Sequence, residues 1–589
     1  MRELGLGISA RLLLASAFLA ASSAACLGAV PQDYAVVNGA SGTAGGNLVV
    51  ALRSEPKTLN PVLSVDATSR EVIGAMNADL VHINRGTQRT EPALAKSWTV
   101  SADGKKYTIH LRRGLRFSDG APFTADDVVF SFQLYLDESL HSPQRDLLVL
   151  DGQPLVVRKL DAATVEFEFA KPYGPGERMF DGLAMMPSHL LAKPYRDGKL
   201  AQTWGTSAVT AEMAGLGPFR LKDYTPGQRM TLERNPNYWK SDAQGNRLPY
   251  LAHLSFVFVP TEDAQVIKFQ SAETHILERA SADNFSVLQR DAKAKGQCLS
   301  DLGPGLEFLF LLFNMNRLDA AKSPDLVAKQ AWFRDLHFRQ AVSLAIDRKG
   351  MARLVYNGRA TPIWGNVTPG NKLWLNTGLP HPDRSIEEAK RILRSSGYSW
   401  NSGGALLDPQ KHPITFTILV SSSNSQRSKL ATIAQDDLQQ LGMDVQVVPM
   451  EFRALVDRVL NTKQYEAVLM NLVNGDTDPT PEMNLWLSSG ETHLWDLDES
   501  KPATPWEAEL DQLMQSQLTT PDQALRKKLY DRVQELVSEN LPFVFLLSPN
   551  ILVGAQAAVG NFRPAILEPY ALWNVDQLFL QPPGAAKCQ

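Results

Sequence analysis

Residues 94–132 of the chain read LAKSWTVSADGKKYTIHLRRGLRFSDGAPFTADDVVFSF. Within this stretch, Tyr107, Ile109 and Leu111 alternate with polar residues, which predicts a half-buried β-strand. Turns rich in glycine, serine and aspartate precede and follow the strand. Thr124 then comes before two carboxylates and an apolar run, a pattern that predicts a helix capped by Thr124. The stretch therefore predicts a strand, a turn and a helix in close succession.

This stretch resembles the signature of bacterial extracellular solute-binding proteins of family 5, the oligopeptide- and dipeptide-type binding proteins of ABC importers. Other segments carry the same resemblance: GLGPF at 215–219, LERNPNYW at 232–239 and FRQAVSLAIDR at 338–348. The resemblance spans residues 47–580. It implies the α/β fold of a two-lobed, type II periplasmic binding protein with an extra subdomain, built from mixed sheets flanked by helices.

The resemblance also implies a function. Proteins of this family are receptors outside the cytoplasm that capture peptides and deliver them to the permease of an ABC importer, and we expect a monomer. Closing the two lobes buries the ligand. A non-peptide solute, such as a sugar, an opine or a metal chelate, is the alternative within the family. A secreted hydrolase is an alternative of another class, but no Gly-x-Ser-x-Gly motif is present, and we predict that the protein is not an enzyme.

Composition and short motifs exclude several other classes of protein. The 589 residues are 44% hydrophobic and 21% charged, which is typical of a globular protein with a large core. The net charge of −4 gives no case for nucleic-acid binding. No Walker A motif is present, so the chain is not the importer's ATPase. The ten histidines lack the HExxH spacing, and we expect neither a metal nor a cofactor.

The N-terminus has the order of an export signal. A charged start is followed by the apolar run 12–21, which is too short to span a bilayer, and then by small residues. We therefore predict a signal peptide over residues 1–26 and a location in the periplasm or on the outer face of the cell membrane. The sequence SAAC that ends at Cys26 resembles a lipoprotein cleavage box, in which Cys26 carries the lipid. Cleavage at an Ala-x-Ala-type site is the alternative.

The resemblance divides the rest of the chain into segments of two lobes. We expect a flexible tether over residues 27–46. The other predicted segments are lobe I at 47–90, 205–310 and 549–580, the signature subdomain at 91–204, lobe II at 311–548 and a tail at 581–589. Cys298 and Cys588 could pair in an oxidising compartment, but sequence does not show their proximity, and we expect no structural disulfide.

The candidate ligand site comes from the resemblance and from residue type. In the stretch that corresponds to residues 471–479, peptide-binding relatives have a tryptophan and then an aspartate that pairs with the peptide's α-ammonium. Counting back from Pro479 places these residues at Leu472 and Gly475, so this chain departs from the family at both. Asp476 lies one place later and could substitute. For each candidate asparagine, a turn or strand-end cap is the alternative role. The predicted ligand-binding residues are Asn60, Asn314, Asn316, Asn471, Asn474, Asp476 and Asp478.

Overall fold

The structure is a computed structural model, and it describes residues 32–205 and 210–582. The predicted signal peptide, the predicted lipid-carrying Cys26 and most of the predicted tail lie outside the described residues. Among the described helices, none combines the length and the apolar character needed to cross a bilayer.

Strands and helices alternate along the described chain. The strands are β1 (Ala35–Val37), β2 (Asn47–Leu52), β3 (Val81–Ile83), β4 (Thr90–Pro92), β5 (Ala95–Val100), β6 (Lys106–Leu111), β7 (Val149–Leu150), β8 (Gln153–Pro154), β9 (Val156–Asp161), β10 (Thr164–Glu168), β11 (Phe219–Thr225), β12 (Arg229–Arg234), β13 (Lys240–Asp242), β14 (His253–Phe258), β15 (Ile276–Leu277), β16 (Gln297–Pro304), β17 (Glu307–Phe313), β18 (Ala360–Pro362), β19 (Ser399–Trp400), β20 (Leu406–Leu407), β21 (Thr415–Ser421), β22 (Asp444–Met450), β23 (Ala467–Val473), β24 (Val544–Gln556), β25 (Val559–Gly560) and β26 (Phe579–Leu580). The helices are α1 (Ala67–Met76), α2 (Ala125–Leu136), α3 (Ser188–Arg196), α4 (Glu262–Gln270), α5 (Ala282–Asp291), α6 (Pro324–Arg334), α7 (Leu336–Ala345), α8 (Arg348–Tyr356), α9 (Ile386–Ser395), α10 (Ser425–Gln439), α11 (Phe452–Asp457), α12 (Met483–Trp486), α13 (Pro505–Leu518) and α14 (Gln523–Asn540).

One large mixed sheet organises the fold. Its strands follow the order β11-β12-β14-β2-β15-β24-β17-β23-β21-β22, and β16 and β18 pair with β24 off this path. Strands β14 and β2 are parallel, whereas β17 and β23 are antiparallel. Helices pack on the sheet, as between α10 and β22. The predicted α/β class with mixed sheets and flanking helices is confirmed.

Strand β24 connects the two halves of this sheet. Up to Leu547 it pairs with β17, and from Asn550 onwards it pairs with β16. Strands β16 and β17 are themselves separated by residues 305–306. The amide of Gly305 donates to the carbonyl of Pro549 at 3.0 Å, so the two chain segments cross between the halves at one place.

Two separate hydrophobic cores support the two halves of the sheet. The first core combines residues of the N-terminal region, up to Ile276, with residues between Ala555 and Leu578. The second core is built from residues between Val266 and Leu552. A two-lobed protein requires two cores of this kind, because each lobe must be stable while it moves against the other.

The signature stretch forms the strand, turn and helix that its sequence predicts. In β6, Tyr107, Ile109 and Leu111 are buried and alternate with more exposed residues. Thr124 caps α2 in a capping box, in which the carboxylate of Asp127 accepts from the Thr124 amide at 2.9 Å. The four-stranded sheet β5-β6-β10-β9 that contains β6 packs into the first core.

Part of the stretch predicted as a tether lies against the fold. Residues 35–37 form β1, which pairs in parallel with β13. The hydroxyl of Ser41 donates to the Asp242 carboxylate at 2.7 Å. The glycine- and alanine-rich composition of residues 27–46 predicts flexibility, but composition does not reveal that a distant strand offers a free edge.

Cys298, in β16, is disulfide-bonded, which contradicts the expectation of no structural disulfide. The chain's other cysteines, Cys26 and Cys588, lie outside the described residues. The expectation was wrong because the spacing of cysteines in a sequence carries no information about their proximity in the fold.

Candidate functional site

A cavity of about 1230 Å³ lies between the two halves of the molecule. The first half contributes residues of α1, the residues that follow β15, and the segment 568–576. The second half contributes residues at the start of β17, the end of β23 and the start of α10. Pockets for small ligands usually measure roughly 300–1,000 Å³, so this cavity has room for a ligand larger than a single amino acid.

Three glutamates of the first half line one side of the cavity. Glu71 lies on α1, and Glu278 directly follows β15. Glu568 lies in the segment between β25 and β26. Neither Glu71 nor Glu278 has an ion-pair partner among the described residues. The three side chains come from positions far apart in the sequence, so only the fold assembles them.

Few hydrogen bonds compensate these carboxylates. Glu278 accepts from the Ala571 amide at 3.2 Å, and the Tyr570 hydroxyl donates to Glu568 at 3.1 Å. Oε1 of Glu71 is buried and accepts no hydrogen bond from a described residue. The group therefore retains free acceptors for the donors of a ligand.

Burial and mutual repulsion change the ionisation of the glutamates. Burial, together with the charge of Glu568, raises the pKa of Glu278 to about 8, although the Ala571 amide acts in the opposite direction. Burial and the charges of Glu278 and Glu568 raise the pKa of Glu71 well above its ordinary value. A cation placed among these groups would lower both pKa values, because it favours the ionised carboxylates.

An ion pair joins the two halves within the cavity. Nη2 of Arg279, which follows β15, lies 2.5 Å from Oε2 of Glu307, the first residue of β17. The side-chain amide of Asn471, on β23, donates to the other Glu307 oxygen at 2.9 Å. Burial alone would lower the pKa of Arg279, but the charge of Glu307 raises it above its ordinary value. The guanidinium also lies 5.8 Å from the ring centroid of Tyr570.

Arg427 lines the cavity at the start of α10, where the charges of Glu307 and Tyr356 act on it. Asn424 caps this helix by accepting from the Arg427 amide at 2.9 Å. Burial lowers the pKa of the Arg427 guanidinium, while the charges of Glu307 and Tyr356 act in the opposite direction. Its guanidinium forms no ion pair with a carboxylate of the described residues. A helix N-terminus and a free guanidinium together favour an anion.

A cluster of one histidine and two aspartates, residue types that bind metals, lies at the edge of the cavity. Nδ1 of His82 is 3.4 Å from both Asp79 and Asp181. However, Nη1 of Arg85 lies 3.1 Å from the Asp181 carboxylate, so an arginine already supplies positive charge to the group. This arrangement is satisfied as an ion-pair network.

Three of the predicted ligand-binding asparagines are buried and hydrogen-bonded within the fold. Asn60 caps the short turn that follows it and donates to the carbonyl of Leu200 at 3.3 Å. Asn314 donates to the carbonyl of Tyr465 at 2.7 Å, and Asn316 donates to Asn314 at 2.8 Å. The structure places all three outside the described lining of the cavity.

The predicted residues of the 471–479 stretch have different positions. Asn471 lines the cavity and contacts Glu307, as described above. The side chains of the other three predicted residues, outside the described lining, contact protein groups: Asn474 donates to Glu482 at 2.6 Å, Asp476 pairs with Arg178, and Asp478 accepts from Arg526 at 2.8 and 3.0 Å. Of the seven predicted residues, the structure therefore brings only Asn471 to the described lining.

Sequence reasoning missed charged residues of the cavity lining, among them Glu71, Glu278, Glu307 and Arg427. The glutamates carry no local signal, because each is an ordinary surface-type residue in its own segment. For Arg427, the sequence carries a weak local signal. This residue follows strand β21 and a serine-rich loop at the start of a helix, and ligands of α/β proteins bind beyond the carboxyl ends of strands.

Comparison with known proteins gives a consistent result. Residues 89–493 match the model of a family described as bacterial extracellular solute-binding proteins, family 5, middle. A probable ABC transporter-binding protein of Deinococcus radiodurans is 26% identical over 565 residues, covering 92% of this chain and 93% of that protein.

Solved structures of low sequence identity share the fold. The oligopeptide-binding protein AppA of Bacillus subtilis, solved with a nonapeptide, has a TM-score of 0.68 at 21% identity and covers 92% of this chain and all of its own. NikA of Brucella suis, solved with Fe(III)-EDTA, has a TM-score of 0.74 at 20% identity and covers 91% of this chain and all of its own. The fold is that of the type II periplasmic binding proteins.

Proposed function

Because the chain belongs to the bacterial extracellular solute-binding proteins of family 5, we propose that it captures a peptide outside the cytoplasm and delivers it to the permease of an ABC importer. The observation that supports this most is the distribution of charge in the cavity. Glu71 and Glu278, which have no paired cation among the described residues, line the same cavity as Arg427, which has no paired anion among them. A short peptide carries an ammonium at one end and a carboxylate at the other, so it matches both kinds of group.

The acidic side would hold the ammonium. Gly475, where peptide-binding relatives have the aspartate that binds this group, lines the same cavity and has no side chain to offer. The carboxylates of Glu71, Glu278 and Glu568 supply the missing negative charge from the other half. An ammonium placed there would gain charge-assisted hydrogen bonds and reduce the repulsion among the three acids.

The basic side would hold the carboxylate. The Arg427 guanidinium offers two parallel donors, and the N-terminus of α10 adds a favourable partial charge. The distance between the two sides then limits the length of a peptide that reaches both. The polar lining between them, including Asn471, supplies hydrogen bonds for peptide groups.

Closure of two lobes would bury this ligand. We place the hinge where β24 changes partner near Pro549 and where Gly305 separates β16 from β17, because two short segments cross between the halves there. The Arg279–Glu307 pair would stabilise the closed arrangement. A ligand drives closure only if it binds the closed state better than the open one, as a group bound by both halves does.

A non-peptide solute is the second candidate. NikA, which shares the fold, was solved with Fe(III)-EDTA, so this fold also accommodates a metal chelate. The large cavity and its mixture of acidic and basic groups are compatible with such a compound.

Mass spectrometry of the material that copurifies with the protein separates the two candidates. A mixture of peptides supports peptide capture, and one defined non-peptide compound overturns it. Calorimetric titration with matched peptides then tests the ammonium site. Peptides with a free amino terminus are expected to bind at least about tenfold more tightly than their N-acetylated forms, because acetylation removes a charge-assisted contact. Equal affinities would contradict the assignment of the acidic side.

We also propose the remaining features that the sequence predicts. These are export by a signal peptide over residues 1–26, lipidation at Cys26 or cleavage without a lipid, a monomeric state and the absence of catalysis. Relatives are described as binding proteins, which supports the last point. The intact mass of the exported protein distinguishes lipidation from simple cleavage, and light scattering gives the oligomeric state. Turnover of the bound ligand would overturn the proposal.

A further inference from the structure

A buried group of side chains in the second half has the composition of a metal site. It consists of His493, Glu499 and Glu507, whose ligand atoms lie within 4.8 Å of one another. None of the three lines the cavity described above. His493 and Glu499 lie in the segment between α12 and α13, and Glu507 lies in the first turn of α13. We propose that these residues bind one divalent transition-metal cation, with Zn²⁺ as the representative of this class.

The imidazole of His493 is fully buried and lacks a hydrogen-bond partner. Its exposed fraction is 0%, and neither Nδ1 nor Nε2 has a hydrogen-bond partner among the described residues. Oε2 of Glu499 is also buried without such a partner. Since buried polar groups are nearly always satisfied, two neighbouring groups that are not point to an atom bound between them.

The spacing of these atoms fits a metal ion. Nε2 of His493 lies 3.4 Å from Oε2 of Glu499. In a tetrahedral site with bonds of about 2.1 Å to nitrogen and to oxygen, two ligand atoms are about 3.4 Å apart. The observed separation is compatible with two ligands on one metal.

The group also carries an excess of buried negative charge. Asp496, Glu499 and Glu507 are only 7%, 4% and 4% exposed. Among the described residues, Arg317 is the arginine that pairs directly with them: it contacts Glu499 and lies 3.3 Å from Asp496. The charge of Arg339 also interacts with Glu507, but without direct contact. The Arg339 guanidinium donates its hydrogen bonds to backbone carbonyls instead. A divalent cation would balance the remaining charge.

The surrounding groups orient the proposed ligands. The carboxylate of Glu507 accepts from Trp495 Nε1 and from the Thr504 amide, both at 2.9 Å, and from the Thr504 hydroxyl at 2.7 Å, which leaves one of its roughly four lone pairs for a metal.

The bound ion would tie the segment 493–499 to the first turn of α13. The site escapes detection in the sequence because its ligands are six and eight residues apart and do not share one helix face. It lies in the second core and is independent of the ligand in the cavity. A failure of the metal proposal would therefore leave the proposed receptor function untouched, and the reverse also holds.

The test measures zinc by mass spectrometry in the exported protein, purified without a histidine tag, supplied with Zn²⁺ and dialysed against metal-free buffer. The wild type is expected to retain about one equivalent of Zn²⁺ and to lose thermal stability when a chelator removes it. His493→Gln and Glu499→Gln are expected to lower the zinc affinity by at least about tenfold. His337→Gln, at a histidine whose side chain is 57% exposed, is the matched control and should retain zinc like the wild type.

Two results would overturn the proposal. One is a wild type that retains less than about a tenth of an equivalent, in which case a proton shared by His493 and Glu499 satisfies the group. The other is a His493→Gln protein that retains as much zinc as the wild type. If both variants fail to fold, Co²⁺ added to the wild type decides: the visible absorption of tetrahedral Co²⁺, competed away by Zn²⁺, supports the site, and its absence contradicts it.

Discussion

Arg279 and Glu307 form an ion pair across the cavity, with 2.5 Å between Nη2 and Oε2. The two residues belong to different halves of the large sheet, since Arg279 follows β15 and Glu307 begins β17. Asn471 donates to the second oxygen of Glu307, so the carboxylate is held from both halves. The pair and its amide partner therefore hold part of the cavity wall in place.

Removing the charge of Glu307 should weaken ligand binding. Glu307→Gln keeps the shape of the side chain but leaves the half-buried Arg279 without its counter-charge, so the closed state loses a charge-assisted contact. We expect the Kd for a bound peptide to rise by about tenfold in calorimetric titration. Glu273→Gln, which breaks an exposed ion pair with Lys268, is the control and should bind like the wild type. Equal Kd values for both variants would exclude this role for Glu307.

The raised pKa of Glu278 should appear in the pH dependence of stability. Its folded-state pKa of about 8 lies above the ordinary value of 4.5, so between these values the folded state binds more protons than the unfolded state. The stability of the ligand-free protein should therefore fall as pH rises through this range. Denaturation at several pH values should show a smaller fall in Glu278→Gln than in the wild type. Glu387→Gln, at a side chain 84% exposed, should follow the wild type, and parallel curves for all three proteins would contradict the prediction.

Arg427 should distinguish peptides by their carboxyl end. Arg427→Gln removes the free guanidinium at the start of α10, and we expect the affinity for peptides with a free carboxylate to fall by at least about tenfold. C-terminally amidated peptides should bind the variant and the wild type nearly equally. The matched control is Arg453→Gln, at an exposed arginine of α11. A similar loss for both kinds of peptide would show that Arg427 does not contact the carboxylate.

Asp478 should contribute to stability because it is held by a buried ion pair. Its carboxylate accepts from Arg526 at 2.8 and 3.0 Å, and the two side chains are 3% and 1% exposed. Arg526→Met leaves an unpaired buried carboxylate, so we expect the free energy of unfolding to fall by about 3–5 kcal/mol in urea denaturation. Lys193→Met, which breaks an exposed pair with Asp197, should change it by less than about 0.5 kcal/mol. A loss below about 1 kcal/mol in Arg526→Met would contradict this structural role.

Local structure was predictable wherever the pattern of residues is itself local. The alternation in β6 and the capping box at Thr124 involve neighbouring residues, and both were predicted correctly. The full length of β24 is harder to predict, because the strand runs from Val544 to Gln556 through Pro549. Pro549 cannot donate to a ladder and so indicates a break, but here it lies where the strand changes partner, and the strand continues.

The amino-acid sequence by itself determined the family, the α/β class and many of the predicted elements, because hydrophobic periodicity, caps and turns act over a few residues. Only the tertiary structure decided which side chains face the ligand. Glu71, Glu278 and Glu568 are separated by up to about five hundred residues, and their charges interact because two cores and two crossing segments bring them to one cavity. Electrostatic interaction depends on distance in space, which the order of residues along a chain does not contain.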